Sequence, residues 1–324
     1  MAWFMLIAQA LAAMSPAACA EALGAVPSAR ACAASQVGLA LANTQAEAER
    51  LIADAKVGET RFAATFGRSP SRYPIHAFSD PTAIAPGQAA LRRLGIVAVL
   101  PVPAAQFVAQ QRARAAAAVA MVRGGTMVVR NPASSDEPRN LDDRDHIPHE
   151  LAHLWYGELF WTDVARPPRD RYGSAAPDWL DEAAAILMES DTRAATHRNR
   201  FSDGRDPDRE RAAAIPPEIP LADLMTMPHP VSDRLPAPGG APGPIRLTSA
   251  PSLFYAEIRV LADYLIERSG DRRIFAAISD GMRQGGSFAE WLARDGARHR
   301  LPATLAGLDA DWQRWLLEHY GPPA

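Results

Sequence analysis

The sequence predicts an α+β protein, with a mixed α/β lobe followed by a helical C-terminal lobe. Three features carry that expectation. Short β-branched segments bounded by Gly and Pro occur in the N-terminal half, a metal-ligating pattern sits at helical spacing near the middle, and helix-like segments run from Ser252 to His319. A chain of 324 residues is long enough for one large domain or for two lobes sharing a cleft.

The first twenty residues stand apart. Trp3–Ala13 is apolar, Ser15-Pro16 follows, and Ala18-Cys19-Ala20 ends the stretch in small residues. This predicts a secretory signal peptide, residues 1–20, cut after Ala20, and an exported protein, periplasmic or secreted. No Lys or Arg precedes the apolar run, which leaves a buried N-terminal helix as the alternative. A lipid anchor on Cys19 fits less well, because Pro16 stands where an aliphatic residue is usual. The only cysteines are Cys19 and Cys32, so cleavage after Ala20 would leave Cys32 alone and no intrachain disulfide.

Gln36–Ala55 is polar and Ala-rich with interleaved leucines, which suggests a helix, extended by Arg61–Phe66 up to Gly67. Pro74–Phe78 and Gly95–Val102 are strand candidates. Ala104–Val122 is rich in helix formers, Gly124-Gly125 makes a turn, and Thr126–Arg130 reads as a strand. Asp145 is placed to cap a helix that tolerates Pro148 in its first turn and stops at Gly157. Pro177–Ser190 is the next helix, and Pro216–Pro251 is mostly loop. Ser252–Ser269, Ile274–Arg283, Phe288–Asp295 and Ala310–His319 read as helices. The expected organisation is therefore an α/β lobe over 21–230, a Pro/Gly-rich loop over 231–250 and a helical lobe over 251–324.

Composition narrows the function classes. The net charge is −3, Lys56 is the only lysine, and there is no long basic run, so nucleic acid is not an expected partner. After the N-terminal run, no segment is apolar for long enough to span a bilayer.

The chemistry concentrates in His149-Glu150-Leu151-Ala152-His153. Residues four apart on a helix are separated by about 400°, so the two imidazoles lie roughly 40° apart on one face and can hold one metal ion. Glu150 lies beside them, within reach of a water on that metal, without being a ligand itself. A catalytic zinc site needs a third protein ligand and an open fourth position. Glu182, in Trp179-Leu180-Asp181-Glu182-Ala183, is the best candidate, since an antiparallel helix pair returns it to the histidines.

These two segments resemble the gluzincin zinc metallopeptidases, especially the catalytic domain of aminopeptidase N-type enzymes. In that family the first motif continues into Trp, an aromatic and Gly, as in Trp155-Tyr156-Gly157 here, and the second is typically Trp-Leu-Asn-Glu-Gly. The resemblance spans Asp142 to Glu189 and implies a gluzincin-type fold with Zn2+ as cofactor. It implies His149, His153 and Glu182 as ligands, Glu150 as general base, and a peptide or protein as substrate. A glutamate also occurs in these relatives at the offset of Glu189, seven after Glu182. At about 700° round the helix it shares the face of Glu182, either as a partner holding a ligand histidine or as an exposed residue. For the oxyanion the relatives use a tyrosine opening a later helix, where Tyr255 stands; thermolysin-like members use a histidine, for which His229 is the counterpart.

The pattern also departs from the family. The stretch between the motifs is lengthened by Arg166-Pro167-Pro168-Arg169-Asp170-Arg171. The aminopeptidases carry Gly-x-Met-Glu-Asn before the zinc helix, and its glutamate grips the substrate amine; the corresponding region here, Gly124–Asn131, contains no glutamate. Hydrolysis of peptide bonds is thus expected, aminopeptidase specificity is not. The alternative is an exported zinc protein without catalysis, using the site for binding.

Overall fold

A computed structural model describes residues 16–80, 82, 84–93, 100–103, 145–162, 164, 174–205, 219–230, 251–283 and 286–322. The apolar run Trp3–Ala13, the expected helix 104–122, the strand Thr126–Arg130, the inserted loop 166–171 and the Pro/Gly-rich loop 231–250 lie outside these residues. Among the described residues the architecture is α+β, mostly helical, with one four-stranded sheet. The chain divides into two compact units: one of residues 1–57 and 71–147, the other of 58–70 and 148–324.

The first unit holds α1 (Pro16–Ala25), β1 (Ala31–Ala34), β2 (Gly38–Ala42), the first part of α2 (Gln45–Phe66), β3 (Tyr73–Phe78), α3 (Ile84–Arg93) and β4 (Leu100–Pro103). The strands lie in sequence order; β1 and β2 are antiparallel, and β2–β3 and β3–β4 are parallel. The expected helix from Gln36 is corrected: Gly38–Ala42 is a strand, and the helix begins at Gln45. Gly-Leu-Ala-Leu-Ala is a short, continuous apolar run, for which periodicity does not separate strand from helix. Its burial on both faces between β1 and β3 decides it. Gly38 admits the Tyr73 ring, whose Cζ would lie 2.1 Å from any added Cβ. The Thr44 hydroxyl accepts the Glu47 amide at 3.2 Å, which starts α2.

Helix α1 packs Ala22 and Val26 against Leu39, Leu41, Ala90 and Leu91. Cys19 is disulfide-bonded to Cys32, with Cα atoms 5.6 Å apart. The expectation of a lone Cys32 concerned a chain cut after Ala20; in the full chain α1 lies beside β1 and carries Cys19 to Cys32. A chain that has lost residues 1–20 would lack Cys19 and with it this bond.

The second unit is helical. It contains the end of α2, α4 (His146–Phe160, its first two residues in the other unit), α5 (Asp178–Ile186), α6 (Asp191–Arg205), α7 (Leu221–Leu224), α8 (Pro251–Ser269), α9 (Ile274–Met282), α10 (Phe288–Asp295) and α11 (Leu305–Tyr320). Helices α4 and α5, which carry the His149–His153 pattern and Glu182, therefore group with the C-terminal helices. Helix α4 runs through Gly157 to Phe160, correcting the expected stop. The glycine serves a close approach instead: a Cβ there would stand 2.9 Å from that of Ser174. Aromatic contacts seat α4 on α2, with Phe62 edge-on to Trp155 at 5.4 Å and Phe66 beside Phe160 at 5.6 Å. The Tyr156 hydroxyl meets the Ser279 hydroxyl of α9 at 2.6 Å. Helix α8 packs along α5 and α6. Among the described residues no helix is long and apolar enough to cross a membrane.

Candidate metal centre

Helices α4 and α5 supply the centre. His149 and His153 lie on consecutive turns of α4, ring centroids 5.1 Å apart. Glu182 projects from α5, a helix buried along its whole length. Its Oε1 lies 3.3 Å from His149 Nε2 and its Oε2 3.7 Å from His153 Nε2. One ligand atom from each of the three residues falls within 4.8 Å of the others, a spacing that suits a single ion.

The surroundings fix which nitrogens face inward. His149 Nδ1 is 2.9 Å from Glu189 Oε1, and His153 Nδ1 is 2.9 Å from Asp181 Oδ2. A carboxylate at Nδ1 accepts the N–H there, so each ring turns its Nε2 toward Glu182. Glu182 is 0% exposed, and neither of its oxygens has a hydrogen bond. A buried carboxylate so placed is costly without a cation. The donor set of two imidazoles and one carboxylate suits zinc with a fourth position open.

Electrostatics agree. Burial by itself would depress the His153 ring, but Asp181 at its Nδ1, with Glu182 and Glu150, outweighs it and pushes the pKa up to about 10. Burial likewise works against His149, and Glu182 and Glu189 raise it overall. Burial would raise Glu189, yet the bonds from His149 and His197 hold it at about 2. The carboxylates therefore demand positive charge at the two rings, and a divalent ion can replace the protons.

The choice left open for Glu189 is settled by its position: it is 7% exposed and holds His149. His229 and Tyr255 both come to the site. His229 is 0% exposed, its Nε2 lies 3.3 Å from Glu182 Oε2 and 3.3 Å from the Tyr255 hydroxyl, and its amide donates to the Asp178 carboxylate. Tyr255 stands on the first turns of α8 and is half-buried. Glu150 is half-buried beside the histidines, close enough to act on the charge of His153.

Three contributors were missed in the sequence. Asp181 orients His153; its signal was the acidic residue standing where the resembling family typically has Asn. Ser174 then holds Asp181, its hydroxyl donating to Oδ1 at 3.0 Å and its amide lying 3.3 Å from Oδ2. His197 meets Glu189 Oε2 at 2.9 Å. Ser174 and His197 belong to no local motif, and only tertiary packing brings them in. No protein-family model, curated protein or solved structure matches the chain.

Proposed function

We propose that this protein is a zinc-dependent metallopeptidase of the gluzincin type, exported and acting on peptide or protein substrates. One observation carries the reading. Two histidines have their Nδ1 atoms committed to carboxylates and turn Nε2 toward a buried Glu182 that lacks any hydrogen bond. His149, His153 and Glu182 would hold the ion, and zinc bound there would supply Lewis acidity toward a scissile carbonyl and a water.

The protein's own groups would do the rest. Glu150 takes the proton of the attacking water and passes it to the leaving amine. The Tyr255 hydroxyl donates to the developing oxyanion, with His229 at 3.3 Å as its neighbour and second donor. Asp181 and Glu189 hold the two imidazoles in the required tautomer. The absence of a glutamate in Gly124–Asn131 argues for endopeptidase or narrow-specificity cleavage rather than capture of a free amine.

The deciding experiment is peptide-library cleavage by wild type and Glu150→Gln, with zinc content measured on both. Cleavage by wild type, with a zinc-loaded Glu150→Gln slower by orders of magnitude, is expected. Equal function in the two variants would instead support a non-catalytic zinc protein. Wild type without stoichiometric zinc would end the peptidase reading.

A further inference from the structure

We infer that His197 is a positioning residue of the metal centre, acting on His149 through the Glu189 carboxylate. The inference rests on the zinc reading above and extends it to a residue outside both motifs.

Glu189 lies in the turn between α5 and α6, and His197 lies two turns into α6. The two Glu189 oxygens are divided between two rings: Oε1 is 2.9 Å from His149 Nδ1, and Oε2 is 2.9 Å from His197 Nε2. Both Glu189 and His197 are more than nine-tenths buried. A carboxylate held at one oxygen can still rotate about its side-chain torsions; held at both, its plane is set, and so is the ring of His149. The backbone is clamped as well, since Arg61 donates to the carbonyls of Met188 and Glu189.

The other ligand histidine shows the same construction. His153 is held by Asp181, and Asp181 by the Ser174 hydroxyl and amide. Each imidazole thus has a carboxylate behind it, and each carboxylate has a fixed donor behind it. His197 fills on the Glu189 side the place that Ser174 fills on the Asp181 side. It does not belong to the ligand group itself, which among the described residues comprises His149, His153 and Glu182.

The test reads metal binding, independently of catalysis. Zinc affinity is measured by chelator competition and site geometry by the visible spectrum of the Co(II)-substituted protein, for wild type, His197→Ala and His197→Gln. Loss of an outer partner typically weakens metal binding about 10–100-fold. One step further out, His197→Ala is expected at about tenfold, with altered Co(II) bands, and His197→Gln, which keeps an N–H donor, should recover most of both. In a Glu189→Gln background, His197→Ala should add little. Wild-type affinity and spectrum in His197→Ala, or full additivity with Glu189→Gln, would overturn the role of His197. Should His197→Ala not fold, 15N-imidazole spectra of wild type decide. The His197 resonances are expected to move on zinc loading in wild type and much less in Glu189→Gln; unmoved resonances in zinc-loaded wild type overturn the inference. A wild type that binds no zinc overturns the metal reading itself.

Discussion

Asp181 Oδ2 stands 2.9 Å from His153 Nδ1, and Asp181 directly precedes the ligand candidate Glu182. One dipeptide on α5 therefore supplies both a candidate ligand and the group that orients another candidate ligand. Any shift of α5 disturbs both at once, which ties the centre to the packing of that buried helix.

Asp181→Ala should weaken zinc binding about 10–100-fold, as removal of an outer partner generally does. Asp181→Asn retains an acceptor for His153 but loses the charge, and its loss should be smaller. Chelator competition measures both; an unchanged dissociation constant in Asp181→Ala would show that His153 needs no such partner.

Glu182→Ala should abolish stoichiometric zinc, a larger effect than either outer carboxylate gives. Metal analysis after gel filtration is the check. Full occupancy in that variant would mean that another group, with His229 at 3.3 Å from Glu182 the nearest candidate, is the third ligand.

Tyr255→Phe should lower kcat about 100- to 1000-fold, the usual consequence of losing an oxyanion donor, with zinc content and KM nearly unchanged. His229→Gln is expected to lower kcat as well, since the two side chains are in contact. Unaltered kcat in both variants would remove them from the reaction.

Two pH effects follow, with opposite signs. The His153 pKa is raised from 6.5 to about 10 in the metal-free protein. Its stabilisation is then complete below 6.5 and is lost as pH climbs toward 10. Because zinc must displace that proton, affinity should rise by up to about tenfold per pH unit across this window. The Glu189 pKa is lowered from 4.5 to about 2, so its contribution is present above 4.5 and is lost as pH falls toward 2. Urea midpoints from pH 6 down to pH 2 should therefore decline less steeply in Glu189→Gln than in wild type. Parallel curves would refute the second effect, and pH-independent zinc affinity the first.

The Cys19–Cys32 bond closes a loop with a separation of 13 residues, for which chain entropy gives about 3 kcal/mol. Cys32→Ser should lower unfolding stability by about that amount under oxidising conditions. Intact-mass analysis of the protein should find no free thiol and Cys19 retained. A chain starting at Glu21 with a free Cys32 would show that the bond is absent from the mature form.

The sequence by itself determined the α+β class, the helical C-terminal third and the candidate ligands His149, His153 and Glu182. Helical periodicity is a local property, and a ligand pair four residues apart needs only one turn of helix to be placed. The strand Gly38–Ala42 escaped it because five consecutive apolar residues fit either structure until partner strands bury both faces. Gly157 was read as a stop because local signals do not show Ser174 approaching from elsewhere in the chain. The roles of Asp181, Ser174, Glu189 and His197, and the joining of His229 to Tyr255, were decided only by the tertiary structure. Each depends on a side chain whose partner lies on a different element, and no spacing rule encodes that contact.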